Sequence, residues 1–137
     1  MNEILELAAK MPTGLIDPKS LEKAHHEMEE MCDALAGGDI LGALMEAADV
    51  MYYAHKAYCN GLIAVDGRDG LIGDACREVG FDSHAVECAL LAKYKLRAQP
   101  GNPKNDFAER AAVKSSLDPY VAVNIIERTH KQASIHA

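Results

Sequence analysis

Four acids between His26 and Tyr53 are spaced as ligands for a cation. Glu27 and Glu30 stand three residues apart, and so do Glu46 and Asp49. Residues at that spacing project from the same side of an α-helix, so each pair offers two carboxylates to one point. Gly37 and Gly38 stop the first helix, and Asp39 is a natural N-cap for the next, which predicts an antiparallel helical hairpin. Counted outward from Gly38, Glu30 and Glu46 lie eight residues away on either arm, and Glu27 and Asp49 eleven. The pairs therefore reach similar levels of the hairpin. From Ile40 to Tyr58 nearly every residue is apolar or small, the pattern of a helix buried on all sides. A buried, unpaired carboxylate takes up a proton or finds a cation, and His55 and Lys56 are too few and too far along to neutralise four acids. A hard divalent ion, Mg²⁺ or Mn²⁺, suits carboxylate oxygens. The plainer alternative is a solvated face, where most charged side chains lie.

The elements that must position these residues read as helices with short punctuation. Ile4, Leu5, Ala8 and Met11 predict a first amphipathic helix, stopped at Pro12, Thr13 and Gly14. Asp17 and Pro18 look like a cap followed by proline at the first helical position, opening a helix to about Ala36. The second acid-bearing helix runs from about Ile40 to Cys59, and the turn signals Asn60-Gly61 and Asp66-Gly67 predict a loop over 60–70. A short helix follows over 70–79, and another, capped near Asp82, extends to about Arg97. Residues 99–105 form a connector. Asp106 with Glu109 resembles a capping box for a short helix, and Asp118-Pro119 opens a last one to about His130. No strand or repeat stands out, so the expected class is all-α: a single domain over 1–137, an antiparallel helical bundle built around a metal-binding hairpin.

Composition narrows the partners. The chain has 137 residues, enough for one self-sufficient domain, and a net charge of −7 that argues against nucleic acid or an anionic membrane as partner. Cys32, Cys59, Cys76 and Cys88 form no C-x-x-C pair, so buried, reduced thiols in a cytoplasmic protein are expected. No signal pattern or spanning apolar run is present. Because one arm of the hairpin is apolar on every side, a homodimer or homotetramer is expected to cover it. There is no Walker loop, no G-x-G-x-x-G and no nucleophilic triad. The carboxylates are the catalytic equipment on offer.

His26-Glu27-Met28-Glu29-Glu30 and Glu46-Ala47-Ala48-Asp49 together resemble the E-E-x-x-E and E-x-x-D signature of the all-α nucleoside triphosphate pyrophosphohydrolases, MazG-like and dimeric dUTPase-like, with His26 in place of the first Glu. A second register, from Glu29 to Asp33, keeps both leading acids but ends in Asp. Helical phase favours the first, because Leu21, Ala24, Met28, Met31 and Leu35 form the apolar stripe that Glu27 and Glu30 flank. Asp33 then becomes an auxiliary acid. The resemblance covers roughly residues 17–97 and includes Gly80-Phe81-Asp82 followed by Lys93, Tyr94 and Arg97.

It implies Mg²⁺, replaceable by Mn²⁺ and used as a pair of ions, on Glu27, Glu30, Glu46 and Asp49. It further implies water oriented by one of these acids or Asp33, and cleavage between the α and β phosphates. Lys93 and Arg97, with Lys104 in the connector, would meet the phosphates, and Tyr52 or Tyr53 the nucleobase. Similarity to small stand-alone members, viral ones included, suggests a purine substrate, first GTP or dGTP; a viral chain would act in the host cytoplasm. Two rival readings remain: a di-iron carboxylate bundle built on Glu22-His25 and Glu127-His130, and a non-catalytic helical binding module.

Overall fold

A twenty-residue helix, Ile40–Cys59 (α3), is the axis around which the other elements pack, and fourteen of its residues are buried. The computed structural model describes residues 2–101 and 104–136, with side chains to 131, so residues 102 and 103 of the expected connector lie outside the described part. Every regular element described is helical: α1 (Glu3–Lys10), α2 (Ser20–Ala36), α3, α4 (Val65–Val79), α5 (Ser83–Arg97), α6 (Asp106–Ser116) and α7 (Pro119–His136). The chain is an all-α bundle. None of these helices is long and apolar enough to cross a membrane.

The acid-bearing hairpin forms where its turn residues demand. Gly38 takes a left-handed conformation (φ 78°), and the Asp39 side chain accepts the Gly42 amide at 2.9 Å, supplying an N-terminal partner that α3 otherwise lacks. Helices α2 and α3 then pack along their lengths. Met31, Leu44, Ala47, Ala48 and Met51 contribute to the shared core.

Several boundaries differ from the sequence expectation. The helix α4 begins at Val65, so the loop before it spans only 60–64, and Asp66-Gly67 is helical rather than a turn. Three glycines, 67, 70 and 73, lower its intrinsic propensity, but packing against α3 overrides them. Asp17 does not cap α2 directly. It heads a turn in which its side chain accepts the Lys19 amide at 3.1 Å, and α2 starts at Ser20. Asn105, not Asp106, caps α6, which releases Glu109 to point inward. Asp118 does cap α7, accepting the Val121 amide at 3.0 Å, but that helix continues past His130 to His136.

The segment before α2 is pinned to the far end of α3. Asn60 donates to the Leu15 carbonyl and accepts the Asp17 amide, at 2.8 and 2.9 Å. Lys56, with no exposed surface, reaches Asp17 at 3.4 Å and lies 5.4 and 5.9 Å from the ring centroids of Tyr52 and Tyr53. Helices α1, α2, α4, α5, α6 and α7 all contact α3 within one chain. Much of the apolar surface of α3 is thus covered within one chain. The thiols also depart from expectation: all four are free, but Cys32 and Cys59 are exposed, and Cys76 and Cys88 only half-buried.

Candidate metal centre

A cleft of about 270 Å³ opens between α2, α3, α5 and α6. On one side Glu27, Glu46 and Asp49 each bring a carboxylate oxygen within 4.8 Å of the others. Glu27 Oε2 and Glu46 Oε2 are shut off from solvent and have no hydrogen-bond partner. Burial, the hydrogen bond to Glu46 and the charges of Asp49, Glu46 and Glu30 push the Glu27 carboxyl up to about 9. Burial raises Glu46 as well, partly offset by its bond to Glu27. Glu27 therefore keeps its proton at neutral pH, as one of two closely spaced carboxyls does. This is a site short of positive charge.

Asp49 is satisfied differently. Its Oδ2 accepts from Lys93 Nζ at 2.8 Å and its Oδ1 from the Tyr94 hydroxyl at 2.8 Å, all three groups being nearly sealed from water. Burial first, and then the neighbouring Asp49 charge, holds the Tyr94 hydroxyl well above its ordinary range, so it remains a donor. Lys93 was expected to reach phosphate; it lines the cleft, but its ammonium is engaged by Asp49. Arg97 lines the cleft too, and grips Glu109 with two bonds of 2.9 and 3.0 Å.

The remaining expected residues divide. Glu30 borders the cleft but stands outside the converging three, with its Oε1 2.9 Å from His26 Nε2. The expected level pairing is accordingly shifted: Glu27, not Glu30, meets Glu46. Asp33 is exposed and does not border the cleft, because its helical phase turns it away from α3. Tyr53 lines the cleft. Tyr52 does not; it is 2% exposed and stacked on Tyr94 with centroids 4.0 Å apart, so no base can reach it. Lys104 is exposed and borders the cleft.

Sequence reasoning missed the opposite wall, made by Asp39, Asp106, Glu109 and Arg110. Arg110 bonds Asp106 at 3.0 Å and forks onto Asp39, one arm at 3.1 Å. The Asp106–Arg110 spacing was a visible signal of a helix pair, but nothing local announces a partner as distant as Asp39. Neither E-x-x-H pair joins the acid group: Glu22, His25, Glu127 and His130 are all exposed. No protein-family model, curated protein or solved structure matches the chain.

Proposed function

We propose that the protein is a metal-dependent nucleoside triphosphate pyrophosphohydrolase, splitting a nucleoside triphosphate and water into the monophosphate and diphosphate. The observation that carries this reading is the pair of sealed, unpartnered carboxylate oxygens on Glu27 and Glu46, converging with Asp49 in an open cleft. An all-oxygen anionic donor set fits Mg²⁺ or Mn²⁺. Bound there, the ion would draw in phosphate oxygens, lower the pKa of the attacking water and stabilise the charge of in-line displacement.

The chain's own residues do the rest. Glu27 would give up its proton to solvent and join Glu46 and Asp49 as ligands, with Lys93 and Tyr94 holding the orientation of Asp49. Glu30, bordering the same cleft, serves a second ion or orients the water. Lys93, Arg97 and Lys104 border the same cleft and bring positive charge within reach of a bound triphosphate. Tyr53 offers a ring to the base. A guanine nucleotide as first substrate, a homodimer or homotetramer, and action in the cytoplasm belong to this reading through the family resemblance.

Chromatography of products from the common ribo- and deoxynucleoside triphosphates tests it. Monophosphate and diphosphate in Mg²⁺ or Mn²⁺, and none in chelator, are expected. Nucleoside diphosphate with orthophosphate, or turnover indifferent to chelator, would overturn the assignment.

A further inference from the structure

The cations around the cleft differ in what each would leave behind if it turned to a ligand. Lys93 holds Asp49, whose side chain is 8% exposed, and Arg97 holds Glu109, 2% exposed. Removing either cation would strand a buried carboxylate, a strongly unfavourable change. Among the cleft cations paired with carboxylates, Arg110 is the exception. Its partners Asp39 and Asp106 are 43% and 76% exposed, so water can solvate both when the guanidinium leaves.

Space is made for that guanidinium. Gly42 sits in the first turn of α3, where an added Cβ would lie 2.6 Å from Asp39 Cγ and 3.0 Å from Arg110 Nη2. Glycine within a helix sacrifices about 1 kcal/mol relative to alanine, and here it permits Asp39 and Arg110 to cross the helix at the rim of the cleft. Arginine's planar fork also matches phosphate oxygens, which compete well with a solvated carboxylate.

We infer that Arg110 is a phosphate-binding residue of this cleft, and that Asp39 is the carboxylate it exchanges for a substrate phosphate. The inference rests on the pyrophosphohydrolase reading and adds to it a residue on α6, outside the segment of family resemblance. Lys93 and Arg97 then act on the phosphates through their field, while Arg110 makes the contact.

Calorimetric titration of the full chain with inorganic pyrophosphate in Mg²⁺ tests this, using Arg110→Ala, Arg110→Lys and Asp39→Asn. Asparagine caps helices as well as aspartate, so the last variant keeps α3 capped while loosening Arg110. Expected are a Kd raised at least tenfold in Arg110→Ala, partial recovery in Arg110→Lys, and a Kd lowered below wild type in Asp39→Asn. In turnover, Arg110→Ala should raise KM more than it lowers kcat. A purely structural clasp predicts that the Arg110 and Asp39 variants move together, so weaker binding in Asp39→Asn, or unchanged binding in Arg110→Ala, would overturn the inference. Wild type that binds no pyrophosphate in Mg²⁺ would overturn this and the parent reading alike. Wild type that binds it through Arg110 yet yields no monophosphate would refute the parent reading alone.

Discussion

The long central helix buries charge at two stations, and they are finished in opposite ways. At Lys56 the ammonium is fully enclosed, and burial lowers its pKa against the opposing pull of Asp17. Asp17, the Thr13 hydroxyl at 3.5 Å and two tyrosine rings surround it. Two turns earlier, Asp49 is satisfied by Lys93 and Tyr94, but Glu46 and Glu27 beside it keep a carboxylate oxygen each without a partner. Burial is common to both stations, so burial does not distinguish architecture from chemistry. Satisfaction does: a charge whose partners are complete holds the chain together, whereas one left incomplete is available to a ligand.

Breaking the completed station should have the largest effect. Asp17→Ala leaves Lys56 enclosed with little beyond the Thr13 hydroxyl, and should cost about 3–5 kcal/mol of stability in denaturant unfolding. Adding Lys56→Met should restore much of that loss; a double variant as unstable as the single one would remove the pairing from the explanation. Burial alone would raise the Asp17 carboxyl, but the Lys23 hydrogen bond, the Lys19 amide and the charges of Lys23 and Lys56 hold it below its ordinary 3.8. Its folded pKa being depressed, its contribution is present above that value and disappears as pH falls further.

The incomplete station should respond with the opposite sign. Glu46→Gln removes one of the repelling charges, so the variant should melt higher than wild type in chelator. It should also lose most of the stabilisation by Mg²⁺, which for wild type is about 2.7 kcal/mol at a hundredfold excess over Kd, and lose activity by about a hundredfold or more. Melting curves in chelator and in Mg²⁺ that match wild type would return the acids to ordinary solvated status.

A further effect follows from pH. The folded chain keeps the Glu27 proton up to about 9, while the unfolded chain releases it near 4.5. Between those values the folded state binds more protons, so stability in chelator should fall as pH rises. Metal displaces that proton, and the gain in melting temperature on adding Mg²⁺ should widen toward the alkaline end. A gain independent of pH would show that Glu27 is not a ligand. Asp33→Asn provides the smallest effect, within about 0.5 kcal/mol and with the Mg²⁺ response intact. Loss of that response would instead support the register that ends in Asp33.

The helices, the hairpin turn and the acids on its inner face were legible along the chain, because glycine stops, aspartate caps and apolar periodicity act over a few residues. Glu27, Glu30, Glu46 and Asp49 stand out together for that reason, although Glu30 lies outside the three that converge. What local pattern did not carry was the pairing that decides each charge's role. Lys93 reads as a cation for phosphate, and its bond to Asp49, 44 residues away, exists only in the folded bundle. Tyr52 and Tyr53 are neighbours in sequence, yet only the second borders the cleft, since successive residues on a helix face different directions. Asp66-Gly67 reads as a turn and folds as helix because α3 supplies the packing that propensity lacks. Arg110 and Asp39, 71 residues apart, meet only when α6 is laid across the start of α3. Backbone preference is local, whereas the partner of a buried or half-buried charge is selected by whichever helix the finished bundle brings within about 3 Å.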